Sequence, residues 1–180
     1  MKIKLMLLYI SVIYTNTYAQ TFTLKSNELS GQATENQIFN GFGCTGKNIS
    51  PQLYWENAPA HTQSFAITLY DPDAPTGSGW WHWIIFDIPS GINQLPSNTG
   101  NPALQLAPKG SIQSITDFKS IGYGGPCPPQ GSKPHKYIMT LYALKTEKLG
   151  LDATANPALA GFMLEQNVIA KSSLIFYHQQ

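Results

Sequence analysis

The chain is broken into short apolar or alternating runs, each closed by a turn rich in proline or glycine, and this punctuation leaves little room for long helices. The runs predict strands over Thr21–Leu24, Gln52–Glu56, Ser64–Tyr70, Trp80–Ile88 and Lys136–Leu144, with a short one near Leu174–Tyr177. Only the segment after Asn156-Pro157 reads as a helix: Asn caps, Pro suits the first turn, and Leu159, Phe162, Met163, Gln166 and Ile169 follow at roughly helical spacing. The stretch from Ser90 to Ser120 is rich in Gly, Pro, Asn and Ser and reads as long loops. The expected fold class is therefore mainly β, a sandwich with helical edges, and 180 residues fit one domain.

The first nineteen residues differ from the rest. Lys2 and Lys4 precede an apolar run from Leu5 to Tyr14, and small residues stand at Thr17 and Ala19. This reads as a secretory signal over 1–19, leaving 20–180 as the domain. The run is about half of the roughly 20 residues that a membrane-spanning helix needs, so no transmembrane segment is expected in the mature chain. All basic residues are lysines; without Lys2 and Lys4, nine lysines face ten acids, a net charge of −1. With no basic run and no arginine, nucleic-acid binding is not supported. Cys44 and Cys127, in a chain bound for an oxidising compartment, favour a disulfide, and they are too far apart in sequence for a zinc-type pair.

Side chains alternate across a strand, so the runs also assign faces. In "WWHWIIF", Trp80, His82, Ile84 and Phe86 are expected on one face and Trp81, Trp83 and Ile85 on the other. In "HKYIMTLYAL", His135, Tyr137, Met139 and Leu141 face together. Phe65, Ile67, Leu69 and Asp71 form an apolar stripe closed by an acid, which costs several kcal/mol to bury without donors. Each of two strands thus opens with a polar ring pair and continues apolar, as the rim of a pocket running into a core would.

Three motifs carry a resemblance: "GKNISPQLYWENAP", "DPDAPTGSGWWHWIIFDIP" and "GYGGPCPPQGSKPHKYIMTLYAL". In this order the chain resembles the phosphatidylethanolamine-binding protein family, in its bacterial Raf kinase inhibitor-like branch, from about Phe22 to Tyr177. The resemblance implies a large central antiparallel sheet, a smaller second sheet and a few peripheral helices. It further implies a small cavity for phosphate-like anions or phosphorylated head groups, lined by Asp71, Trp80, His82, Gly125, Cys127, Pro128, His135 and Tyr137. It places Cys44 and Cys127 at the same end of the sheet, as a bond pinning two loops, and a cis peptide near Pro72 or Pro75. Lys136 stands where the family commonly has arginine, on the face away from His135 and Tyr137.

In such a site the imidazoles and the phenol are expected to donate hydrogen bonds, with backbone N–H groups around Gly125 joining them. Asp71 would repel a dianion, so its expected task is to hold His82 or His135 in one tautomer and favour its charged form, making anion affinity vary between about pH 5 and 8. The implied function is non-enzymatic binding without cofactor or metal, in the bacterial periplasm or outside the cell, with a protein target such as a protease as a second class of partner. The rival reading is a hydrolase-like or metal-dependent enzyme built on Asp71, His82 and His135, though no G-x-S-x-G elbow is present. Trp81 and Trp83 are expected to pack, Asp73 to serve its turn, and His61 and His178 to face solvent.

Overall fold

The computed structural model describes residues 20–180, so the predicted secretory signal over 1–19 lies outside the described residues. Ten strands and one α-helix follow in chain order: β1 (Thr23–Lys25), β2 (Asn40–Gly41), β3 (Cys44–Thr45), β4 (Leu53–Glu56), β5 (Ser64–Asp71), β6 (Trp80–Pro89), β7 (Gln94–Leu95), β8 (Ile112–Gln113), β9 (His135–Leu144), α1 (Pro157–Asn167) and β10 (Val168–His178). The large antiparallel sheet has the order β10-β9-β5-β6-β8, a three-stranded sheet the order β1-β4-β7, and β2 and β3 form a separate pair. The expected large and small sheets are both present. One face of the large sheet packs on the small one, joining Phe65, Ile67, Leu69, Met139 and Leu141 to Leu24, Leu53, Trp55 and Leu95 in one core. The other face, with Ala66, Ile84, Phe86 and Tyr142, is covered by Ala160 and Leu164 of α1.

β5 and β9 alternate without interruption, so Asp71 shares a face with Leu69, and His135 and Tyr137 share that face with Met139 and Leu141. β6 departs from the expected alternation. Its register against β5 shifts between the pairs Tyr70↔Trp81 and Leu69↔Trp83, and again between Ile67↔Ile85 and Phe65↔Ile88. Each shift places one extra residue on β6, a β-bulge. His82 is the extra residue of the first, so Trp80, His82, Trp83 and Ile85 stay on the side of the main core, while Trp81, Ile84 and Phe86 turn toward α1. Asp87, in the second, takes φ 58° and accepts a hydrogen bond from Leu149 N at 2.9 Å.

The helix is capped as its sequence predicts, with Asn156 Oδ1 accepting from Leu159 N at 2.8 Å and Pro157 in the first turn. Its buried side differs from the predicted stripe. Ala160 and Leu164 face the core, whereas Leu159 and Phe162 are exposed, because Gly161 lets the helix lie directly against Trp81. Ile169 belongs to β10, which is longer than predicted: its alternation of half-buried and exposed residues, interleaved with Lys171 and Ser173, hides an edge strand from an apolar count. All peptide bonds among the described residues are trans; the reversal after Pro72 and Pro75 is made instead by Gly77 and Gly79 at φ 76° and 67°. The Ser90–Ser120 stretch is mostly loop, with β7, β8 and one short 3-10 turn.

Candidate functional site

Where β9, β5 and β6 lie side by side, their polar ends meet at one end of the core face. Asp71 closes β5 and is 2% exposed. Its two oxygens are both engaged: Oδ1 accepts from Asp73 N at 2.8 Å and Oδ2 from His135 Nδ1 at 2.8 Å. The acid predicted to need donors therefore has them, and the ring it orients is that of His135. Asp73 in turn accepts from Lys136 N at 2.8 Å, tying the turn after β5 to the first residues of β9. Gly79 is needed where the turn closes, since a Cβ there would collide with the Tyr70 hydroxyl.

His82 is held differently. Its Nδ1 lies 2.8 Å from the Gly124 carbonyl oxygen, and Gly124 N donates back to the His82 carbonyl at 2.8 Å. A carbonyl oxygen only accepts, so Nδ1 carries the proton, and Nε2 has no protein partner although it is buried. Burial lowers the His82 pKa to about 4, outweighing the carbonyl bond and the charges of Asp71 and Asp117, so at neutral pH the ring is uncharged. This corrects the expectation that both imidazoles donate: with Nδ1 spent on the Gly124 carbonyl, the neutral His82 ring offers Nε2 as an acceptor. Tyr137 Oη is also buried and makes no well-formed hydrogen bond, and burial, reinforced by the charge and the nearness of the Asp71 carboxylate, pushes its phenol pKa well up. The His82 and Tyr137 rings meet edge to face, 5.2 Å apart.

These groups border a cavity of about 220 Å³, lined by Asp71, Trp80, His82, Cys127, Pro128, His135 and Tyr137 of the predicted set. Gly125 is not among its lining residues. Its N–H donates to Asn48 Oδ1 at 2.7 Å, and a Cβ on it would overlap the Gln37 carbonyl, so this glycine serves close packing against residues 37–39 and not the ligand. Cys127 reaches the cavity through the predicted bond to Cys44, with S–S 2.11 Å and Cα atoms 6.0 Å apart.

The structure adds residues that strand periodicity does not reach. Phe118 packs edge to face on Trp80 and His82, with centroids 5.5 and 5.2 Å away, and Phe42 stacks on Phe118 at 5.9 Å while remaining 73% exposed. Pro75, Thr76 and Pro129 complete the rim. The "GFG" around Phe42 was the available signal, an aromatic residue between two glycines in a turn. Trp83 is fully buried and gives its indole N–H to Gln113, and Trp81 packs on Tyr70, both in packing roles. His61 is exposed, but His178 is half-buried at the end of β10, where it pairs with His135 in register.

Among the described residues, no lysine lines the cavity. Among the described residues, no three His, Cys, Asp or Glu side chains are grouped to hold a metal ion. The polar equipment is thus one carboxylate paired with one imidazole, one neutral imidazole with a bare lone pair, one phenol and the indole N–H of Trp80, in a largely apolar wall.

A model of the family described as phosphatidylethanolamine-binding protein matches residues 29–179. The chain is 45% identical to YbcL of Escherichia coli K12 over 167 residues, covering 92% of this chain and 91% of YbcL. It is 43% identical to YbhB of the same organism, covering 84% of this chain and 96% of YbhB. The crystal structure of Escherichia coli YbcL, described as a new member of the mammalian PEBP family, aligns with a TM-score of 0.87 over 88% of this chain and 98% of that one. A phosphatidylethanolamine-binding protein homologue from Chlamydia trachomatis, 23% identical, shares the fold with a TM-score of 0.72, over 88% of this chain and 97% of that one.

Proposed function

The chain belongs to the phosphatidylethanolamine-binding protein family, and from that premise we propose that it is a non-enzymatic binding protein whose cavity takes a small phosphorylated ligand or related anion. The observation that carries this reading is the pair of buried polar atoms without partners, His82 Nε2 and Tyr137 Oη, on one cavity beside the Asp71–His135 pair. Buried polar groups are nearly always hydrogen-bonded, and leaving one unmet costs about 1–3 kcal/mol. Two such atoms on one cavity mark a place that a polar ligand completes.

The rival enzymatic reading has less support, because no free side-chain nucleophile stands on the cavity among the described residues. The Asp71–His135 pair has the geometry of a base with its orienting acid, but the one aliphatic hydroxyl on the lining among the described residues, that of Thr76, is donated to the Gly79 carbonyl. Localisation in the bacterial periplasm or outside the cell rests on the predicted signal; among the described residues, no helix is long and apolar enough to cross a membrane.

One observation favours a second, protein-directed activity at the same rim. Phe42 stands 73% exposed on a loop tied by the Cys44–Cys127 bond to the Pro128-Pro129 turn, a rigid apolar edge suited to a protein partner such as a protease.

Crystals grown in saturating phosphate test the ligand reading. The expected result is a tetrahedral anion in contact with His82, Tyr137 and His135. An empty, solvent-filled cavity under those conditions overturns it.

A further inference from the structure

Resting on that reading of the cavity, we propose that Asn48, which does not line the cavity, is a positioning residue for it: its side chain fixes Gly124, and through Gly124 the tautomer of His82, so that Nε2 faces the ligand as a lone pair.

Of the three motifs that mark the chain, two supply most of the cavity wall, and "GKNISPQLYWENAP" contributes none of the lining residues. Its contacts run to the back of that wall. His82 is held by one residue twice over, since Gly124 N donates to the His82 carbonyl and the Gly124 carbonyl accepts from Nδ1, each at 2.8 Å. Gly124 has no side chain with which to keep this position, and a Cβ there would overlap the Phe118 ring. It is held through its neighbours. Asn48 Oδ1 accepts from Gly125 N at 2.7 Å and Asn48 Nδ2 donates to the Tyr123 carbonyl at 3.2 Å, so one amide clasps the backbone on both sides of Gly124.

The clasp needs an acceptor and a donor on one short side chain, at a residue whose φ is 53°. Asparagine combines the two and adopts left-handed backbone more readily than most residues; aspartate lacks the donor, and glycine has the backbone freedom without either group. Asn48 is anchored in turn, its N–H donating to the Ile38 carbonyl at 2.8 Å. Ser50 reaches the same segment by a second route: its Oγ accepts from Gly100 N and the Gly100 carbonyl accepts from Tyr123 N, both at 2.8 Å. Which ring nitrogen of a neutral histidine keeps the proton is set by the bond that nitrogen makes, and here the partner is a carbonyl whose place depends on Asn48.

Two variants of the disulfide-intact protein test the clasp. Asn48→Gly keeps the left-handed backbone and removes both bonds; Asn48→Asp keeps the acceptor for Gly125 N and loses the donor. Long-range 1H–15N NMR of the histidine rings at pH 7.5 reads the tautomer, and calorimetry with methyl phosphate reads binding. Wild-type His82 is expected to carry its proton on Nδ1. In Asn48→Gly both tautomers are expected, with affinity for methyl phosphate falling about three- to tenfold, because apparent affinity scales with the fraction of the competent form. Asn48→Asp is expected between the two, and carries the comparison if Asn48→Gly does not fold. Tyr123→Phe removes a different bond of the same segment, from Oη to the Gln37 carbonyl at 3.0 Å, and is expected to lower the urea midpoint while leaving tautomer and affinity at their wild-type values. An unchanged Nδ1–H form in both Asn48 variants overturns the positioning role whether or not phosphate binds. An equal tautomer shift in Tyr123→Phe also overturns it, since general loosening of the segment then suffices. A gain in affinity in Asn48→Gly overturns the lone pair as the atom presented to the ligand. No binding of methyl phosphate to wild type, with the tautomer shifting as expected, overturns the ligand reading of the cavity and leaves the clasp standing.

Discussion

Because His82 is neutral when folded, acid should unfold this protein partly through one residue. The ring is 3% exposed, and burial lowers its pKa from the usual 6.5 to about 4. Above pH 6.5 the folded and unfolded rings are both neutral and contribute no difference. As the pH falls below 6.5 the unfolded chain binds a proton that the folded chain resists until about pH 4, so stability present at neutral pH is lost on acidification. At about 1.4 kcal/mol per pH unit, the loss by pH 4.5 is about 2–3 kcal/mol, a large share of the 5–15 kcal/mol typical of a domain. Urea denaturation followed by tryptophan fluorescence at pH 7.5 and 4.5 measures it, with His82→Asn as reference, since an asparagine amide can keep a bond to the Gly124 carbonyl without titrating. Wild type is expected to lose about 2–3 kcal/mol more than the variant over this range. His178, whose pKa burial also lowers, acts in the same direction in both proteins and cancels. The same pH dependence in both, or a His82 resonance titrating near 6.5, refutes the neutral, acceptor-only ring.

Three further perturbations separate structural from ligand roles. Replacing Cys44 and Cys127 together by serine opens a loop of sequence separation 83, which in the chain-entropy account costs about 4 kcal/mol; a change in urea stability below about 1 kcal/mol would count against the bond as a main staple. Gly125→Ala drives a methyl group into the Gln37 carbonyl and is expected to cost about 1–3 kcal/mol or more, with methyl phosphate affinity of the folded protein within about twofold; unchanged stability with lost binding would restore this amide as a ligand donor. Asp71→Ala leaves His135 buried without its partner and is expected to cost about 3–5 kcal/mol in chemical denaturation, while Asp71→Asn, whose single carbonyl oxygen keeps one of the two bonds to His135 and Asp73 N, costs less.

Where strands alternate without interruption, their sequences were sufficient. The stripe from Phe65 to Asp71 and that from His135 to Leu141 fold as their periodicity requires, and an acid closing an apolar stripe did signal a buried partner. β6 shows the limit. In "WWHWIIFDIP" nearly every residue is bulky and apolar, so one extra residue opposite β5 changes the face of Trp83, Ile84, Ile85 and Phe86 with little mark in the pattern; the polar breaks in the run are His82 and Asp87, which sit in the two bulges. Which histidine Asp71 holds was equally hidden, because β5 lies between β6 and β9 and the acid neighbours both. That choice is made elsewhere, by the Gly124 carbonyl taking the His82 proton, and the 122–126 segment is in turn placed by Asn48 and by Phe39 N, which donates to the Pro126 carbonyl. The strands therefore determine which side chains meet in the cavity, and the loops remote in sequence determine whether each donates or accepts there. Ligand preference within such a family can then change through residues 37–48 and 122–126 while every strand residue of the site stays the same.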